Sequence, residues 1–206
     1  VPGDKNLDLL REISDKGTPI VFVDRRNDKI SADSVTTNDI KAGYTITKYF
    51  IENGRKNIAF VGAVEDLSVA QDRFEGYKTA LTEAGIQLNT NNLVCCGVEL
   101  VRDTLVAEIR EFVRAHKDID GYICAGGLIA YYTGLVLVEE GLTIPGDVFL
   151  GEFGDNNIVH RLGVPFVTVD QSPLKIGEKA LELLVDQIDK KGKSKRESEH
   201  VFVKSK

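Results

Sequence analysis

The chain has 206 residues, 42% hydrophobic and 28% charged, with a formal net charge of −6. It is ordinary soluble globular material, long enough for one or two domains with a sizeable core. No apolar run approaches a membrane span, the opening Val1 to Asn6 is too polar for a secretory leader, and the acidic balance argues against a nucleic-acid surface on these residues.

In chain order, Leu7 to Lys16 reads as a short helix with Leu9, Leu10 and Ile13 inward, stopped by Gly17. Pro19 to Val23 is a continuous apolar run, the mark of a strand covered on both faces. A polar loop follows to Asn38, a plausible cap for a helix over Ile40 to Asn53. Ile58 to Val61 is a second buried strand. Ser68-Val-Ala-Gln71 fits a capping box opening a helix to Ala84. Leu93 to Cys96 is a third strand and Val101 to Ala115 a third long helix. Gly121 to Cys124, the helix Leu128 to Glu140 and the strand Val148 to Leu150 form a parallel crossover, with Gly126-Gly127 at the carboxyl end of its first strand. That is the edge where open α/β sheets bind ligands. Ser172-Pro173 opens a helix with Leu174, Ile176, Ala180, Leu181, Leu184 and Ile188 on one face, and Val201 to Val203 is a last short strand.

Helices and strands alternating in this way predict an α/β fold with doubly wound parallel sheets. Residues 38–170 supply a full sheet, whereas residues 1–37 give one helix and one strand, too little to bury a face. The expectation is therefore a two-lobed protein: 1–37 a remnant of an N-terminal lobe that is largely missing, 38–170 the C-terminal lobe, and 171–206 segments linking the lobes. The lack of any Met fits a fragment.

Chemical motifs are few. There is no G-x-G-x-x-G, P-loop or G-x-S-x-G, and no paired carboxylates in a context suited to acid–base work. His116, His160 and His200 lack metal-ligand spacing, and Cys95, Cys96 and Cys124 read as buried free thiols. No enzyme, metal or cofactor is expected. The run Lys190 to Arg196 reads as a solvated linker.

Several segments, in order along nearly the whole chain, carry a resemblance. They are Gly17 to Asp24, Asn38 to Gly43, Gly54 to Gly62, Arg73 to Leu81, Ile144 to Val148, Phe153 to Asp155 and Thr168 to Gln171. Together they resemble the effector-binding region of the lactose/galactose-repressor family of bacterial transcription regulators. The resemblance implies a periplasmic-binding-protein-like fold of two lobes, a small-molecule effector in the cleft, and a homodimer. It further implies operator DNA bound through an amino-terminal helix-turn-helix headpiece, absent from this sequence, and a cytoplasmic protein with no membrane partner.

It also implies site residues. Arg73 matches a pocket arginine, the other reading being a helix-face arginine paired with Asp72 or Glu75. Asp24 falls where a sugar-binding carboxylate often stands, the other reading being a turn residue. Gly126-Gly127 replaces a frequent Asn-Asp, and Gly154 a frequent ligand-binding Asp. Val98 stands at an often aromatic position, Leu67 and Val69 at often polar ones, and Asp155 is one residue late. A simple monosaccharide site has thus lost several polar groups. Bare amides near Gly126, with Arg73, would favour a sugar phosphate or small acid, while a shallower, more apolar pocket is the alternative. The helix Leu128 to Glu140 is apolar nearly all round; it is either sunk deep in its lobe or has a second face at a dimer interface. The resulting expectation is the ligand-sensing core of a transcriptional repressor. The rival, with the same fold, is a solute-binding protein of a sugar transporter; a sensor lobe fused to a kinase is a weaker one.

Overall fold

The computed structural model describes residues 6–25, 29–62, 68–96, 102–154, 157–189 and 198–204. The chain forms two compact units, one of Val1–Asn38 with Gln171–Lys206, the other of Asp39–Asp170. Both are α/β units built on parallel sheets.

The larger unit contains helix α2 (Asp39–Glu52), strand β3 (Ile58–Gly62), α3 (Ser68–Glu83), β4 (Leu93–Cys95), α4 (Arg102–Ala115), β5 (Gly121–Cys124), α5 (Gly127–Glu139), β6 (Phe149–Phe153), α6 (Asn157–His160) and β7 (Val167–Val169). Its sheet runs β4-β3-β5-β6-β7, every neighbouring pair parallel. The central strands β3 and β5 are buried at every position, as continuous apolar runs covered on both faces must be. Alternate side chains divide between two cores. One joins Ala59, Val61, Tyr122 and Leu150 to Leu105, Ile109, Ala130 and Leu137 of α4 and α5. The other joins Ile58, Phe60, Ile123 and Phe153 to Ile46, Phe50, Ala70 and Tyr77 of α2 and α3. The Tyr77 hydroxyl is satisfied by the Ile58 carbonyl at 2.8 Å, so this bulky ring enters the core without an orphaned polar atom.

The smaller unit contains α1 (Leu7–Asp15), β1 (Val21–Val23), β2 (Asp33–Thr37), α7 (Pro173–Asp189) and β8 (His200–Val203). Its sheet runs β1-β2-β8, again all parallel. Strand β2 corrects the expectation of a polar loop from Asp24 to Asn38. All five of its residues are buried although only Val35 is apolar. The polar ones are satisfied: Gln187 Nε2 and the Glu199 amide donate to Asp33 at 2.8 and 2.7 Å, and Ser34 Oγ lies 2.8 Å from His200 Nδ1. Partners so remote in sequence leave no local hydrophobic signal.

Two helix faces also differ from expectation. On α1, Leu7 is buried and Leu9 is 58% exposed. On α7 the inward stripe is Ile176, Ala180 and Leu183, packed on Val35. Leu174, Leu181 and Ile188 instead face out with Val185, 83%, 61%, 54% and 47% exposed respectively. Both stripes have helical spacing, so periodicity alone could not choose between them. Strand β7 and the single turn α6, neither expected, complete the larger sheet's edge, and β6 runs on through Phe153.

Candidate functional site

The carboxyl edge of the larger sheet is built by one close helix crossing. Helices α2 and α3 meet at Gly43 and Gly76, where backbone lies directly on backbone. A Cβ at Gly43 would fall 2.1 Å from the Arg73 carbonyl oxygen, and one at Gly76 would fall 2.0 Å from that of Ile40. This contact holds the Arg73 backbone against the first turn of α2. There Asp39 is buried, an acid at the positive end of a helix dipole.

Arg73 is 5% exposed. Its Nε donates to Asp39 Oδ1 at 2.8 Å and its Nη1 to the carbonyl oxygen of Ala125 at 2.6 Å. The guanidinium lies over the Phe153 ring, 4.5 Å from its centroid. One side chain thus touches α2, the residue after β5 and the last residue of β6, and its orientation is fixed by all three. The pairing is with Asp39, not with Asp72 or Glu75; Glu75 pairs with Lys78. Nη2 has no hydrogen-bond partner among the described residues. The fork therefore keeps one nitrogen, with two N–H groups, open.

Gly126 follows Ala125 and caps α5 in an extended conformation without a side-chain hydrogen bond. Gly154 follows Phe153, donates to the Val169 carbonyl at 2.9 Å and has φ of 110°, backbone that favours glycine. Arg73 touches the residue before each of these glycines, so the three positions gather at one sheet edge. Val69 is half-buried one turn before Arg73 on α3. Asp24 belongs to the other unit. It has φ of 65°, donates its amide to the Val35 carbonyl, and has a half-exposed carboxylate 3.7 Å from Arg25 Nε. Leu67, Val98 and Asp155 lie outside the described residues.

Sequence reasoning missed Asp39, the Ala125 carbonyl and the Phe153 ring as the groups that hold Arg73. An acid after the helix cap Asn38 reads as a dipole complement, which hides its long-range partner.

Among the described residues no group of His, Cys, Asp and Glu is placed to hold a metal. Cys95 is exposed, correcting the expectation that all three thiols are buried. Burial pushes the Cys96 thiol up to about 11 and the Cys124 thiol up to about 12, so neither is a thiolate at neutral pH. The edge offers hydrogen-bond donors, while the Phe153 ring, 2% exposed, lies buried beneath the Arg73 guanidinium.

Comparison with known proteins gives a consistent result. The family described as periplasmic binding proteins and sugar binding domain of LacI family matches residues 2–206. The chain is similar to the HTH-type transcriptional repressor PurR of Vibrio atlanticus, 29% identical over 91% of this chain and 56% of that protein. It is similar to the HTH-type transcriptional regulator RegA of Clostridium saccharobutylicum, 30% identical over 91% of this chain and 55% of that protein. Its fold matches that of a transcriptional regulator CelR–cellobiose complex with a TM-score of 0.84 at 24% identity, over 96% of this chain and 60% of that one. All three are named as transcription regulators. The chain spans about half the length of the curated relatives it matches.

Proposed function

Because the chain belongs to the family of periplasmic binding proteins and LacI-type sugar-binding domains, we propose that it is the ligand-sensing core of a bacterial transcriptional repressor. The observation that carries this reading is Arg73: a guanidinium oriented by Asp39, Ala125 and Phe153, with one nitrogen left open at the carboxyl edge of a parallel sheet. A small-molecule effector held there shifts the population between DNA-competent and DNA-incompetent states. Operator DNA is bound by a separate headpiece of the whole protein. The protein is cytoplasmic and not an enzyme; no helix among the described residues is long and apolar enough to cross a membrane.

Residues 1–37 are read as the remnant of an N-terminal lobe and 38–170 as the C-terminal lobe. The uncovered stripe Leu174, Leu181, Val185 and Ile188 on α7 supports a lobe built from more chain than three strands. Homodimerisation is read from α5. Its inner face is buried, and Leu128, Tyr131, Leu135 and Val138 form a second, partly exposed apolar stripe. Beside it Arg110 and Arg114 of α4 bind Glu139 and Glu140, an ordered polar rim.

The test uses the full-length protein and DNA from upstream of its own coding region. Ribose, glucose, cellobiose, their phosphates and purine bases are titrated while DNA retention is followed by fluorescence anisotropy, with mass from sedimentation. A dimer whose DNA affinity one metabolite changes by about tenfold or more is expected. Absence of DNA retention would contradict the reading and leave the rival, an exported solute-binding protein with the same fold.

A further inference from the structure

We propose that the effector of this protein is anionic at the end it presents to α5, a carboxylate or phosphate bound between the bare amino terminus of that helix and Arg73. This rests on the effector-sensing reading above and narrows it to a chemical class.

Three observations converge. First, α5 is a helix of 13 residues, and its opening amides, Gly127 to Ile129, precede the first intrahelical bond, Ala130 to Gly126. Among the described residues no side chain caps them, and the first turn carries no acid. Second, Arg73, 5% exposed, binds the Ala125 carbonyl through Nη1 and has an unpartnered Nη2 attached to the same carbon. A buried arginine with one nitrogen to spare, fixed beside an uncapped helix end, supplies two kinds of donor to the same small volume. Third, a Cβ at Gly126 would meet nothing within 4 Å, so the space before those amides is open.

Arg73 Nη2 and the opening amides of α5 put donors at this edge. Asp39, the acid nearest Arg73, is already engaged by Nε. Glu152 is fully buried and accepts the Thr168 hydroxyl. A sugar hydroxyl placed here needs an acceptor for its own proton as well as these donors. Carboxylate and phosphate oxygens only accept. Their charge is favoured by the half-positive end of the helix dipole, whereas the Arg73–Asp39 pair is neutral overall. Relatives bound to neutral sugars share the fold, so the distinction lies in these side chains and not in the architecture.

The space in front of Gly126 makes the test. Gly126→Asp places a carboxylate as the cap of α5, which satisfies the same amides internally and suits the helix. The full-length protein and this variant are titrated calorimetrically and by thermal shift with inorganic phosphate, ribose 5-phosphate, glucose 6-phosphate and gluconate, and with neutral ribose and glucose. At least one anion is expected to bind and raise the melting temperature of the parent while the neutral sugars do not. In Gly126→Asp that anion should bind about tenfold more weakly or worse, although the unliganded variant melts no lower. Phosphate ester against gluconate tells the two acid sources apart. Saturable binding of ribose or glucose without any anion would overturn the charge assignment while leaving the sensor reading intact. So would an anion whose affinity Gly126→Asp leaves unchanged, or binding by none of the four anions. The sensor reading itself stands or falls on DNA retention, a separate measurement.

Discussion

Replacing Gly76 by Ala is expected to destabilise the protein by about 3 kcal/mol or more. The added carbon would lie 2.0 Å from the Ile40 carbonyl oxygen and 2.5 Å from the Tyr44 nitrogen. Both are backbone atoms, so no rotamer change relieves the clash; α2 and α3 must separate. Separation opens the core of Ile46, Phe50, Phe60 and Tyr77 that the two helices share. It also carries Arg73 away from Asp39, so Gly76→Ala should lose effector response even where it stays folded. Gly43→Ala should behave alike, since its carbon would meet the Arg73 carbonyl oxygen at 2.1 Å. Chemical denaturation of the variants against the parent measures this. A midpoint within error of the parent would show that the helices are not in backbone contact.

Replacing Arg73 by Ala is expected to cost about 3–5 kcal/mol, because it removes the guanidinium paired with the Asp39 carboxylate, which is 4% exposed. The magnitude reflects the unpaired charge and not the worth of the pair, which solvation of two ions largely offsets. The double variant Arg73→Met with Asp39→Asn tests this: it removes both charges, leaves similar volume and should recover much of the lost stability. Recovery of stability should not bring recovery of function. The open Nη2 and the fixed fork are gone, so the double variant should retain operator DNA yet respond to no effector. A double variant that regains its effector response would show that Arg73 is a structural arginine only.

These two expectations rest on contacts that differ in how far the sequence exposes them. The strand–helix alternation of the larger sheet was legible, because β3 and β5 are apolar at every position and the helices carry caps and stops. Positions where polar groups are buried in pairs were not. Strand β2 reads as a loop in the sequence because its burial depends on Gln187, Glu199 and His200, 154 to 166 residues away. On α7 two apolar faces compete on one helix, so the sequence groups the inward Ile176 and Ala180 with the outward Leu174, Leu181 and Ile188. At the site, the resemblance singled out Arg73, but neither periodicity nor spacing could name Asp39 as its partner. That pairing depends on a glycine crossing between helices, and two glycines in helical segments do not announce which backbone they approach.

The most direct test of the central claim, that an effector acts at the carboxyl edge around Arg73 and the start of α5, is hydrogen exchange on the full-length protein. Exchange is followed with and without the metabolite found to change its DNA affinity. The account predicts slowed exchange in residues 126–130 and 69–74, and loss of that protection in Arg73→Ala. Protection confined to the outer face of α7 or to α4, with residues 126–130 unchanged, would contradict it.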